Sequence, residues 1–234
     1  MEDDSGKKTA IMSTRTTRQI ALALTTVACV GLGAFGWIWV HRKADHELIE
    51  ALEEAKLHLP PGTELIWGKA VALPASHGAR LQDVTIRDEG ETLTAGMLEI
   101  LGVSSGAPDR AQAAGSTGAG PLHCEHVIFY RLHTEGKTGR SDIRRLALDG
   151  LQLPAATSDQ LPGLVLDHAE FDDAHAVSAD GLVTGTVRHG ILNQFGGEHL
   201  SRLILEEGTA QDTDPPARAL SLGKFMLDRT DLAA

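Results

Sequence analysis

The feature that most constrains this chain is an uninterrupted apolar segment near its N-terminus. Residues 20–40 read IALALTTVACVGLGAFGWIWV and contain no charged side chain. At about 1.5 Å per residue, a helix of this length spans about 31 Å, which matches the hydrocarbon thickness of a bilayer. Trp37 and Trp39 stand at one end, where indole rings favour the membrane interface. The segment predicts a transmembrane helix, because a buried core helix of this length would show a polar face.

The basic residues around this segment predict its orientation. Cytoplasmic flanks of a membrane span carry the excess of Lys and Arg, so residues 1–19 are predicted to be a cytoplasmic tail. The apolar stretch is long for a cleaved signal peptide, and Thr26 stands where a lipoprotein cleavage site before Cys29 usually has an aliphatic residue. We expect a single-pass inner-membrane protein with a periplasmic C-terminal part. The basic residues are Lys7, Lys8, Arg15 and Arg18 before the segment, and Arg42 and Lys43 after it.

The charge of the remaining chain excludes one class of partner. Residues 44–234 hold 29 acidic and 15 basic side chains, a difference of −14. Binding to nucleic acid needs a basic face that attracts phosphates, so we expect no nucleic-acid partner. Anionic lipid headgroups would repel such a domain, whereas a basic protein partner would attract it.

A helix is predicted directly after the membrane segment. Leu48, Ile49, Leu52 and Leu59 fall on one apolar stripe, with glutamates on the other side. Pro60 and the residues after it end the pattern. We therefore predict a stalk helix within residues 41–62, whose stripe packs on the domain or on a partner helix.

Residues 63–234 predict a β-rich extracytoplasmic domain, because short alternating or apolar runs recur between Gly, Pro, Asp and Asn. A hairpin is predicted at 88–91 and a bulge near Gly96, where the alternation slips. Residues 103–120 are small and of low complexity, so they predict a mobile loop. The predicted strands are Glu64–Leu73, Ala79–Arg87, Glu91–Gly102, Leu122–Thr134, Asp142–Leu153, Gly163–Val177, Leu182–Phe195, His199–Ala210 and Ala219–Leu232.

A degenerate phrase recurs in the second half of the chain: two apolar positions, Leu or its equivalent, an acid and a polar residue. Examples begin at Leu146, Leu164, Leu203 and Phe225, and the irregular spacing argues against a strict solenoid. We interpret each phrase as an antiparallel strand that ends in an acidic turn. Any amphipathic strand that ends at a turn would look similar.

Together with the membrane segment, the phrases IRRLALDGLQLP, LSRLILEEGTA and ARALSLGKFMLDRTDL resemble the repeats of AsmA-like bacterial envelope proteins. The resemblance implies an inner-membrane protein with a curved β-sheet or groove that has one apolar face. It also implies a role in lipid transfer or in outer-membrane homeostasis. The chain is shorter than typical members of that family.

Two clusters carry residues suited to chemistry. His123, Cys124, Glu125 and His126, with His133 further on, are ligand types for zinc or copper, but neighbours on a strand point to opposite faces. A buried Cys124 at a polar strand edge is the favoured interpretation. The second cluster spans residues 167–175, where Asp167, Asp173 and His175 share strand parity; a solvated face is favoured there over a cation or acid–base site. We therefore predict no catalytic, metal or cofactor residue.

Three functions are compatible with these patterns. The first is non-enzymatic lipid handling or envelope biogenesis by a membrane-anchored periplasmic β domain. The second is a tethered accessory subunit of a secretion or envelope complex. The third, less favoured, is a metal-dependent enzyme. The sequence leaves the oligomeric state open, and it does not show whether the sheet has an apolar groove.

Overall fold

The computed structural model describes residues 44–56, 62–88, 90–105, 122–153, 165–196, 199–212 and 218–231. These residues form one helix and ten strands in a single open, curved antiparallel sheet. From β3 onward each strand pairs with the next in the chain, while β1 and β2 both pair with β3. The elements are α1 (Ala44–Lys56), β1 (Glu64–Ile66), β2 (Lys69–Leu73), a 3-10 turn (Pro74–Ser76), β3 (Gly78–Asp88), β4 (Glu91–Ser105), β5 (Leu122–Gly136), β6 (Gly139–Leu153), β7 (Val165–Ser178), β8 (Val183–Gly196), β9 (His199–Asp212) and β10 (Arg218–Asp231).

The prediction of a mainly β, curved antiparallel domain is confirmed, and most strand positions agree within a few residues. The predicted run Glu64–Leu73 is two strands, β1 and β2, which pair with different halves of β3. The hairpin at 88–91 is present, with Asp88 opposite Glu91. β4 continues through Ser105, so the predicted loop 103–120 begins too early; its residues 106–120 lie outside the described residues.

Helix α1 packs against the sheet. Leu48 and Leu52 are buried in the hydrophobic core, and the carboxylate of Asp45 accepts a 2.8 Å hydrogen bond from the backbone amide of Ala72 in β2. Ile49 is 41 % exposed, so its assignment to the packed stripe is wrong: it lies about 100° around the helix from Leu48. The stripe was predicted to pack on the domain or on a partner helix; in the described helix, Leu48 and Leu52 pack on the domain.

The segment predicted to cross the membrane, residues 20–40, lies outside the described residues. Among the residues that are described, no helix combines the length and apolar character that crossing a bilayer requires. The transmembrane helix therefore stays a prediction.

The buried positions of each long strand change parity in the middle of the strand. In β3 the buried residues are Ala79 and Leu81, then Val84 and Ile86, so Gln82 and the exposed Asp83 both leave the buried face. Asp83 has a positive φ of 51°, and ladder pairing with β4 stops there and resumes in the same register. Two consecutive residues on one face break the alternation and bend the strand as a β-bulge does, although here each of them lies opposite one residue of the partner strand. The register survives because β4 carries the matching extra residue at Gly96, where a bulge was predicted.

This bulge continues through every strand from β3 to β10. We call the aligned residues the first bulge row; left-handed backbone recurs in it on alternate strands. A second bulge row lies six residues away along each strand. The first bulge row is Asp83, Gly96, Arg131, Arg144, Asp173, Arg188, Glu207 and Gly223; the second is His77, Gly102, Glu125, Gly150, Asp167, Gln194, Ser201 and Arg229.

The bulge rows correct the interpretation of the repeated phrase. In Leu148-Asp149-Gly150 the leucine is buried. Gly150 belongs to the second bulge row, and Asp149 is the polar residue next to it. The strand does not end in an acidic turn, because Leu151 returns to the buried face in the same strand, β6. The phrase is thus the sequence signature of a bulge within a strand.

Between the two bulge rows the inner face of the sheet is apolar at every position. Leu98 and Phe129 are only 0 % and 1 % exposed. Among the described elements, α1 and the short 3-10 turn are the ones outside the sheet, so the curl of the sheet around this face provides much of the cover. Burial decreases along the sheet, and Phe225 in β10 is 39 % exposed. The inner positions are Ala79, Leu81, Leu98, Ile100, Val127, Phe129, Leu146, Leu148, Ala169, Phe171, Gly190, Leu192, Leu203, Leu205, Phe225 and Leu227.

Candidate functional site

The first candidate site is the inner face of the last three strands. Strands β3 to β7 hold most of the buried core, whereas over β8 to β10 most side chains of the same face are half-buried or exposed; Leu200 of β9, at 6 % exposed, is an exception. Monomeric soluble proteins rarely expose a large contiguous apolar patch, and such a patch usually marks a site that binds a ligand, a membrane or another protein. We call it the open inner face; it comprises Leu192, Leu203, Leu205, Leu222, Phe225 and Leu227.

Glycine at position 190 shapes the boundary between the filled core and the open inner face. Gly190 lies opposite Phe171, and a Cβ atom at 190 would collide with the ring of Phe171. The phenylalanine therefore lies across β8 and closes the apolar interior at this level. Leu192 on the same strand packs against the core and is half-buried.

The outer face carries a second candidate site, a polar ladder beside the first bulge row. Register partners on β6 to β10 alternate in charge along it, and we call them the first polar ladder: Arg145, Asp172, His189, Glu206 and Lys224. His189 Nδ1 lies 3.0 Å from Asp172 Oδ1, and Lys224 Nζ lies 2.8 Å from Glu206 Oε1. Such cross-strand pairs of opposite charge stabilise a sheet.

Hydrogen bonds in this ladder lower the pKa of both acids. The bond from His189 lowers the pKa of Asp172 below the ordinary aspartate value; burial acts in the opposite direction, and the charges of His189, Arg144 and Arg145 add to the lowering. The bond from Lys224 likewise lowers the pKa of Glu206. Both carboxyl groups are therefore held as anions, which suits ion pairing and does not suit a general acid at neutral pH.

Three ladder-side groups come close enough to hold a cation. Donor atoms of Glu170, Asp172 and His189 lie within 4.8 Å of one another, the one such set found in the part of the chain that the structure describes. However, Arg145 Nη1 lies 3.7 Å from a carboxylate oxygen of each acid. His189 Nδ1 lies 3.0 Å from Asp172 Oδ1 and 3.9 Å from Glu170 Oε1. A guanidinium therefore already lies beside both carboxylates, and the arrangement is an ion-pair network on a sheet surface.

The cluster around Cys124 does not converge. Cys124 is buried on the inner face as expected, while Glu125 and His126 are both exposed because the second bulge row breaks the alternation between them. The strict alternation assumed for these four residues is therefore wrong at this point. His126 Nδ1 lies 2.7 Å from Asp149 Oδ1, and His133 Nδ1 lies 2.7 Å from Asp142 Oδ1.

The second predicted cluster lies on the outer face. Asp167, Asp173 and His175 are all exposed, as a solvated face predicts, and Asp173 pairs with Arg144 at 2.7 Å. The bulge rows separate these residues, so they form no common site. Sequence reasoning missed His189, which the hairpin between β7 and β8 places opposite Asp172.

A second polar ladder follows the second bulge row on the outer face. Its members are joined in pairs: His126 with Asp149, His168 with Asn193 at 2.6 Å, and Arg202 with Asp228 at 2.6 Å. The sheet is therefore apolar inside and bears two rows of polar pairs outside. The second polar ladder is His126, Asp149, His168, Asn193, Arg202 and Asp228.

Comparison of the chain with protein-family models, with curated proteins and with solved structures found no match in any of the three.

Proposed function

We propose that this protein is a membrane-anchored, non-enzymatic envelope protein that accommodates a lipid acyl chain on its open inner face. The observation that carries the proposal is the apolar interior of the sheet, which is filled over β3 to β7 and accessible over β8 to β10. Water contact at Phe225 and its neighbours is unfavourable, and an acyl chain would remove it. The predicted anchor at residues 20–40 and the resemblance to AsmA-like proteins favour a lipid as the occupant.

The dimensions of the open inner face suit one extended chain. The two bulge rows are six residues apart on each strand, a distance of about 20 Å at about 3.3 Å per residue. Burial of about ten methylene groups there would contribute about 8 kcal/mol before the costs of association. An occupant cannot extend into the β3–β7 interior without displacing Leu98 or Phe129, which are already buried.

The experiment is photolabelling of the full-length protein in liposomes with a phospholipid that carries a photoreactive acyl chain. We expect labelled peptides from β8 to β10. Phe225→Arg places a charge on the open inner face and should abolish labelling. Met226→Arg is the matched control, because Met226 is 54 % exposed and points to the other face of the same strand.

Two results would reject the proposal. One is labelling that is absent from the wild-type chain or confined to residues 20–40. The other is an equal loss of labelling in the Phe225 and Met226 variants, since only the substitution at Phe225 alters the inner face. Far-UV circular dichroism of each variant checks that the sheet is intact.

The second function, that of a tethered accessory subunit, is supported by a different observation. The last strand, β10, pairs on one side with β9, and no described strand pairs with its other side. A strand edge of this kind can bind a further strand.

A further inference from the structure

The two edges of the sheet differ. At the N-terminal edge, β1 and β2 are three and five residues long, and Asp45 of α1 bonds to the amide of Ala72 that points away from β3. Short strands and a covered edge are how proteins prevent edge-to-edge pairing. At the other edge, β10 is 14 residues long, and within the described residues it pairs with β9 alone.

We propose that β10 pairs antiparallel with β10 of a second copy of this chain, with Met226 opposite Met226. The bulge rows fix this register. They cross β10 at Gly223 and Arg229, so both rows continue into a second antiparallel copy when residue 223 of one lies opposite residue 229 of the other. In this register Phe225 faces Leu227 of the second copy, and both stay on the inner face. A register that aligned residue 223 with itself would put inner positions opposite outer ones.

The charges of β10 are complementary in the same register. Lys224 lies opposite Asp228 of the second copy, and the two-fold symmetry repeats this pair. Within one chain Lys224 already contacts Glu206, and Asp228 contacts Arg202. The joined ladder therefore reads Glu206, Lys224, then Asp228 and Arg202 of the second copy, with alternating sign throughout. A lysine on an edge strand normally deters pairing; this register is the one that gives it an acidic partner.

The protected N-terminal edge limits the assembly to two copies. Pairing of β10 with itself uses the same surface on both copies and closes, whereas pairing of one edge with a different edge would continue into a filament. Because Asp45 and α1 cover β2, and β1 is only three residues long, the described N-terminal edge offers the second mode no long partner strand.

A cysteine placed at the two-fold axis tests the register. Residues directly opposite in an antiparallel pair have Cα atoms about 4.5–5.5 Å apart, within disulfide range. In full-length Met226→Cys in mild detergent, copper(II)–phenanthroline should oxidise the two thiols to a disulfide and give a covalent dimer. In the matched control Ser221→Cys, the two thiols would lie about 33 Å apart. The wild-type chain, with Cys29 and Cys124, sets the background.

Charge reversal tests whether the contact lies between copies. Lys224→Asp in the Met226→Cys chain puts two acids opposite each other and should lower the crosslinking yield several-fold. Adding Asp228→Lys should restore it. Contacts within one chain cannot explain a rescue, because Asp at 224 beside Glu206 and Lys at 228 beside Arg202 are both like-charged pairs.

The proposal predicts that the wild-type protein sediments as a dimer after correction for bound detergent. A monomer at every concentration tested, equal crosslinking at positions 221 and 226, or a double charge variant that crosslinks no better than Lys224→Asp would each overturn it. A complex with a different protein at β10, in place of a second copy, would also overturn it.

Discussion

Replacing Gly150 with alanine tests whether the bulge rows are built on left-handed backbone. Gly150 has φ 66° near the C-terminal end of β6, and a Cβ atom there would collide with the side chain of Asp167 on β7. A residue with a side chain in this conformation costs about 1–2 kcal/mol. Alanine regains about 0.4–1 kcal/mol by restricting the unfolded chain. With the Asp167 contact added, we expect Gly150→Ala to lower the free energy of unfolding by about 1–2 kcal/mol.

Gly185→Ala is the matched control. Gly185 lies in β8 away from both bulge rows, its φ is not positive, and a Cβ atom there would meet the carbonyl oxygen of Thr209 at an ordinary 3.6 Å. Alanine at 185 should therefore raise the free energy of unfolding by about 0.4–1 kcal/mol. The two substitutions have the same chemistry, so their difference of about 2 kcal/mol isolates the backbone conformation.

The assay is urea unfolding of the full-length protein in mild detergent, followed by far-UV circular dichroism. The midpoint should fall for Gly150→Ala and rise for Gly185→Ala, with equal slopes, because a change in slope would signal a change in the unfolded state. If both variants were stabilised equally, the left-handed residues would not be what bends the strands, and the reasoning from the bulge rows would fail.

Three further predictions concern packing, pH and the membrane. Phe129→Ala should lower the free energy of unfolding by about 3–5 kcal/mol, and Phe225→Ala by clearly less, because these two inner residues are 1 % and 39 % exposed; urea midpoints compare them. His189 lowers the pKa of Asp172 in the folded state. The Asp172 anion therefore stabilises the fold at pH values above the unfolded pKa of about 3.9. This stabilisation is lost as the pH falls through the pKa that Asp172 has in the folded state. The stability gap between wild type and Asp172→Asn should therefore shrink below about pH 4, and a gap that grew in acid would contradict this sign. Alkaline carbonate should leave the full-length chain in the membrane pellet and release a chain that lacks residues 20–40; release of both would reject the anchor.

The order and approximate ends of the strands could be predicted because each run of alternating apolar residues ends at a turn signal. One bulge, near Gly96, could be predicted from a slip in the alternation. The rest of the bulge rows could not, because two consecutive residues such as Asp149 and Gly150 look locally like the start of a turn. What distinguishes a bulge row is that the neighbouring strands carry their own polar pairs at the same level. That information is not local, and it becomes visible only when the register is known.

For the same reason, the ion-pair network around Asp172 and His189 could not be predicted from the sequence. Glu170 and Asp172 were within the cluster identified from the sequence, but His189 belongs to the next strand. Its position follows from the hairpin: Ser178 and Val183 close the turn through mutual hydrogen bonds, and counting back along both strands places His189 opposite Asp172. A prediction of the exact turn would therefore have found the pair.

Strand β10 carries both proposals, yet they are physically separable. Acyl-chain binding depends on the inner face, where Phe225 points, whereas pairing depends on backbone groups at the edge and on Lys224 and Asp228 of the outer face. Phe225→Arg should abolish binding of the lipid. In the Met226→Cys chain, the same substitution should affect the cross-linked dimer only through the contact of residue 225 with Leu227 of the second copy. Reversal of Lys224 should weaken the dimer while the inner face of each copy stays apolar. Pairing would also place the two open inner faces side by side, so one continuous apolar surface would cross the two-fold axis.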